Sequence, residues 1–77
     1  MDEETKRRFK VAMEAAQSAA DECVTIREYT VRLEAALENG DEEAAAQYRE
    51  IISDELNHIE RFMNVFVEAS GIAPTEE

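Results

Sequence analysis

Leu37-Glu38-Asn39-Gly40-Asp41-Glu42-Glu43 stops one helix and starts another within seven residues. Gly40 has no Cβ and so tolerates the left-handed conformation that closes a helix C-terminus. Asp41 offers a side-chain oxygen to the free N–H groups of a new helix, and Glu42 and Glu43 put negative charge over the positive end of its dipole. A connection this short joins antiparallel neighbours, so the expected fold is all-α, an antiparallel two-helix hairpin.

Towards the N-terminus from Asn39 there is no Gly or Pro, and Asp2-Glu3-Glu4 reads as a second N-cap with acids behind it. A helix is therefore expected over about residues 3–38, roughly 50 Å long at 1.5 Å per residue. Towards the C-terminus the second helix is expected over about 42–70. Gly71 fits the position after its C-cap, Ile72 is expected to fold back on Val67 as the apolar contact of a Schellman-type cap, and Pro74 blocks continuation. Residues 1–72 thus form one helical hairpin with its turn at 39–40, and 73–77 are expected to be a flexible tail or truncated linker.

Apolar residues recur at alternating spacings of three and four, the rhythm of helices packed along a left-handed seam. In the first helix one such stripe is Phe9, Ala12, Ala16, Ala19, Cys23, Ile26, Thr30, Leu33 and Leu37, and beside it runs Ala15, Ala19, Glu22, Ile26, Tyr29, Leu33 and Ala36. In the second helix the stripes are Ala45, Tyr48, Ile52, Glu55, Ile59, Phe62, Phe66 and Ala44, Tyr48, Ile51, Glu55, His58, Phe62, Val65. Cys23, on its stripe, is expected to be a buried small hydrophobe, and Tyr29 and Tyr48 core aromatics. Lys6, Arg7, Arg8 and Lys10 should lie beside the C-terminal end of the second helix and complement its dipole.

The chain has 77 residues, 44% of them hydrophobic and 35% charged, with a formal net charge of −11. That is short for a self-sufficient core, so a partner is expected. The charge disfavours nucleic acid and anionic membrane surfaces and favours cations. A single cysteine, no signal peptide and no apolar run near membrane length make a reducing cytoplasm the expected location.

Glu22 and Glu55 are the charged members of otherwise apolar stripes, and Glu55 stands three residues before His58. A carboxylate and an imidazole at that spacing project from one helix face about a turn apart, as two ligands of one metal ion require. Measured from the turn, Glu55 lies about 22 Å and His58 about 27 Å along the second helix, while Glu22 lies about 27 Å and Glu28 about 18 Å back along the first. Glu22 is the first-helix acid that combines a seam position with the right height. Burying carboxylates in an apolar seam costs several kcal/mol unless a cation compensates. Three ligands do not enclose an ion and one hairpin does not cover its own seam. Two copies about a two-fold axis answer both needs, giving a four-helix bundle with two Glu from the first helices and two Glu-x-x-His pairs from the second, the ligand set of ferritin-like di-iron bundles. Carboxylate and imidazole ligation suits Fe(II), Mn(II) or Zn(II), with iron favoured for a redox site.

The sequence resembles the encapsulated ferritins, two-helix ferritin-like cargo of encapsulin shells. Asp41 to His58 matches that family's second helix in register and without a gap, through its Asp-Glu-Glu-x-x-His end, and Glu22 stands seven residues before Tyr29 as the family's ligand Glu stands before a Tyr. The resemblance covers roughly residues 10 to 66. It implies a ferroxidase whose di-iron site takes Glu22, Glu55 and His58 from each of two subunits. Glu55 would bridge, with Glu22 and His58 as terminal ligands. It also implies a homodimer within a ring-like homo-oligomer, working in an encapsulin nanocompartment that stores the iron. Asp21 matches the acid before the ligand Glu and would belong to an outer iron-uptake patch. Departures are Glu28 in place of the family's Trp, Val24 in place of a second outer acid, a turn about three residues longer, and no shell-targeting peptide, as in a shortened chain or a domain fused to its shell. From another class, a non-enzymatic helical hairpin would dimerise as a structural or adaptor module, with Glu55 and His58 a buried hydrogen-bonded pair fixing register. A rubrerythrin-like peroxidase would need a Cys-x-x-Cys electron donor, which the sequence lacks.

Overall fold

A computed structural model describes residues 1–75, so residues 76 and 77 of the expected tail lie outside the described residues. The chain folds as two helices, α1 (Glu3–Glu38) and α2 (Glu42–Ser70), packed side by side as an antiparallel hairpin. Its Cα extents of 57 × 27 × 14 Å are those of a single layer of two helices.

Each helix end is closed by its own sequence. The Thr5 N–H donates to Asp2 Oδ1 at 2.7 Å and the Ala44 N–H to Asp41 Oδ1 at 3.1 Å, so both expected N-caps form. At the turn Gly40 adopts φ 69°, its N–H donates to the Leu37 carbonyl, and the Asp41 N–H reaches back to the Ala36 carbonyl at 2.9 Å. Those two bonds are a complete Schellman motif. The end of α2 differs from the expectation. Gly71 is left-handed at φ 75° and its N–H donates to Val67, but Ile72 is 56% exposed and its N–H is taken by Ser70 Oγ at 3.1 Å. With that donor diverted, α2 ends in the simpler one-bond left-handed cap, and Ile72 stays largely open to solvent rather than folded away.

The register is set where the two strings of side chains meet. Tyr29 and Tyr48 pack at a ring-centroid distance of 5.8 Å and a 49° tilt. Continued along the helices, that register brings Ala12, Ala15 and Ala19 level with Phe66, Phe62 and Ile59, so small residues on α1 receive large ones on α2. Among the described residues the buried ones are all alanines, Ala12, Ala15, Ala19, Ala36 and Ala45, and no large side chain is fully buried.

This settles which α1 stripe faces α2. Ala15, Ala19, Glu22, Ile26, Tyr29, Leu33 and Ala36 are all buried or half-buried, whereas Phe9, Cys23, Thr30 and Leu37 of the neighbouring stripe are exposed. Cys23 is therefore not the buried hydrophobe expected of it. Both stripes keep the same three-four rhythm, but Cys23 sits one residue after Glu22 and is rotated about 100° out of the contact. From the basic N-terminal cluster Arg8 bonds α2, its Nε donating to the Ala69 carbonyl at 3.1 Å near the negative end of the helix. Lys6 and Arg7 pair instead with Glu3 and Glu4 on their own helix. Among the described residues no helix is long and apolar enough to cross a membrane.

Candidate metal centre

Glu22 on α1 and Glu55 on α2 occupy facing seam positions, and His58 stands one turn beyond Glu55 on the flank of α2. The fold brings the three together: each offers a ligand atom, and these atoms all lie within 4.8 Å of one another. His58 Nδ1 is 3.7 Å from Glu22 Oε2 across the hairpin and 3.9 Å from Glu55 Oε1 along its own helix. Metal–ligand bonds to carboxylate oxygen and imidazole nitrogen are about 2.0–2.2 Å, so two ligands of one ion stand at most roughly 4.4 Å apart. Both His58 separations fall inside that span, and Nδ1 is the imidazole nitrogen that faces the carboxylates.

Burial grades outward from the seam. The side chain of Glu55 is 17% exposed, that of Glu22 25% and that of His58 46%. The carboxylates are thus largely withdrawn from water while the imidazole stands at the open edge. No lysine or arginine pairs with Glu22 or Glu55 among the described residues; the group within 4.0 Å of both is the His58 imidazole. Two carboxylates converging in a half-buried seam repel one another, and a divalent cation relieves that repulsion. The donor set of two oxygens and one nitrogen fits Fe(II), Mn(II) or Zn(II).

Asp21 is exposed, outside the cluster, and its Oδ1 accepts from Gln17 Nε2 at 2.9 Å. Glu28 is exposed too, six residues or somewhat under two turns from Glu22, and outside the cluster. On the turn side of the cluster lie Tyr29 and Tyr48, with the Arg32 guanidinium 4.7 Å from the centre of the Tyr29 ring in a cation–π contact. A groove of about 290 Å³ opens beside the cluster, lined by Ile51, Asp54, Glu55, Asn57, His58 and Arg61. Sequence reasoning gave Arg61 no part in the site. Its signal was available in the spacing, three residues after His58 and seven after Asp54, which keeps all three on neighbouring rows of α2.

Comparison of the chain with protein-family models, with curated proteins and with solved structures finds no match.

Proposed function

We propose that this chain is a ferroxidase that acts as a dimer, oxidising Fe(II) to Fe(III) at a di-iron site built between two hairpins. The observation that carries the reading is the convergence of Glu22, Glu55 and His58 on one point, from two helices, with their ligand atoms within 4.8 Å. Two copies of that set supply four carboxylates and two imidazoles, which two Fe(II) ions neutralise in charge.

Association is supported by the surface. The hairpin exposes 6040 Å², against about 4,700 Å² for a compact monomer of its mass. The excess of about 1,300 Å² exceeds the roughly 800 Å² per partner of a standard interface. Val11, Val65 and Leu56 are among the large apolar side chains left open on its flanks.

Iron is substrate here. Two Fe(II) ions lose one electron each, and dioxygen takes both with two protons to leave as hydrogen peroxide; a peroxide as oxidant would leave as water. Glu22 and His58 would hold the ions as terminal ligands and Glu55 would bridge them, roles that rest on the likeness to encapsulated ferritins. The net charge of −11 draws cations to the dimer, and Asp21 belongs to the surface they cross. In the same reading the dimers join in a ring inside an encapsulin shell, which receives the Fe(III). The test is Fe(II) oxidation by the wild type and by Glu22→Ala, Glu55→Ala and His58→Ala, with each variant expected to fall to the uncatalysed rate.

One observation favours a second reading. His58 Nδ1 stands 3.7 Å from Glu22 Oε2 and 3.9 Å from Glu55 Oε1, within ion-pair reach of both carboxylates. In that reading His58 holds Glu22 and Glu55 and fixes the register of a structural or adaptor hairpin. That hairpin would dimerise with no iron chemistry, and the three alanine variants would have no iron oxidation to lose.

A further inference from the structure

The flank of α2 that carries His58 reads in opposite senses on its two sides. Asp54 lies four residues before His58 and Arg61 three after it, with Ile51 seven before and Val65 seven after. Asp54, His58, Arg61 and Ile51 line one groove, so they share a flank, and Val65 remains 43% exposed further along. Asp54 and Arg61 are both exposed, and neither has an oppositely charged partner within 4.0 Å among the described residues. They cannot neutralise each other, because seven residues of helix separate them by about 10 Å.

We infer that this flank is the surface on which a second copy of the chain docks, with the two α2 helices antiparallel about a two-fold axis beside His58 and Asp54 of each copy paired with Arg61 of the other. The axis exchanges the two sides of the pattern. Asp54 meets the second copy's Arg61, Arg61 meets its Asp54, and Ile51 meets its Val65, the self-complementarity a two-fold interface requires. A parallel copy would set Asp54 against Asp54 and Arg61 against Arg61. Because each chain carries a net charge of −11, copies repel at large, and the two crossed ion pairs select the one orientation in which charge matches. The arrangement brings both Glu22, Glu55 and His58 sets to the axis, and so specifies the dimer on which the ferroxidase reading rests.

The test is a charge swap read by sedimentation velocity, with Co(II) as a redox-inert probe and again without metal. Both residues are exposed, so Asp54→Arg and Arg61→Asp should keep wild-type helicity. Each alone is expected to raise the dimer dissociation constant by at least about tenfold, through like charges at both pairs. The double variant, and an equimolar mixture of the two single variants, should return it to near the wild-type value. Single variants that dimerise like wild type, a mixture no better than its components, or a wild type that stays monomeric in both conditions would overturn the inference. If the swap restores the dimer but no cobalt binds, the interface stands and the metal reading fails. If cobalt binds and the swaps do nothing, the reverse holds.

Discussion

The imidazole Nδ1 of His58 faces the Glu22 carboxylate across the hairpin at 3.7 Å, joining positions thirty-six residues apart in the chain. The contact exists because the turn at Gly40 sets the two helices in a register that makes Glu22 level with the Glu55–His58 pair. Replacing Glu22 by Ala removes one ligand while leaving both helices intact. Metal affinity, read by calorimetric titration with Co(II), is expected to fall by at least about tenfold to 100-fold. In metal-free protein the same change should leave the melting temperature unchanged or raise it, because it relieves a half-buried carboxylate of its repulsion with Glu55. A lower melting temperature with unchanged cobalt affinity would mark Glu22 as structural.

The turn should be as sensitive as the site. Gly40 has φ 69° with nothing within 4 Å of where a Cβ would stand, so Gly40→Ala meets no clash and its cost is the backbone conformation alone. A loss of about 1–2 kcal/mol is expected by thermal unfolding, with Gly40→Asn costing less. Asp41→Ala should cost about 1 kcal/mol through the lost cap to Ala44. Equal stability of all three variants would mean that the turn does not set the fold.

Ala45 is 0% exposed, level with Leu33 in the register set by the tyrosine pair. Ala45→Leu is expected to destabilise by about 1–3 kcal/mol through overpacking, since the added methylenes have no room between the helices. The exposed Ala46→Leu, one residue on, should be near neutral. Similar unfolding curves for the two variants would contradict the helix faces described here.

Acid should fray the N-terminus of α1 first. The Thr5 backbone N–H, and then its side chain, hold the Asp2 carboxyl below its ordinary value. A depressed folded pKa means that the cap contributes fully above the unfolded value of 3.8 and is lost as pH falls through the lower folded one. Thr5 amide exchange, measured across that window, should speed up as Asp2 protonates, and Asp2→Asn should remove the pH dependence while keeping a cap. An unchanged Thr5 exchange rate down to the lowest pH at which the hairpin stays folded would refute the assignment.

The helix ends were legible because local chemistry decides them: Asp2, Gly40, Asp41 and Gly71 act on backbone groups within a few residues. Glu22 was legible for a different reason, since a straight helix converts residue number into height and only one seam acid was level with His58. The face of α1 was not. Two stripes with the same three-four rhythm lie side by side, and the choice between them comes from which one α2 covers, so Cys23 was assigned to the core and lies outside it. Ile72 was misread because its fate depended on a competing acceptor, Ser70 Oγ, that no spacing rule includes. Arg61 escaped because its use lies outside the hairpin, on a surface where no intrachain partner draws attention to it.

The most direct test of the central claim is anaerobic size-exclusion chromatography with light scattering on metal-free protein, with and without Fe(II), followed by metal analysis of the peak. A di-iron site shared between two hairpins predicts an Fe(II)-stabilised oligomer built of dimers and carrying about one iron per chain. The same oligomer formed without metal, eluting empty after exposure to Fe(II), would contradict it and leave Glu22, Glu55 and His58 as a structural cluster.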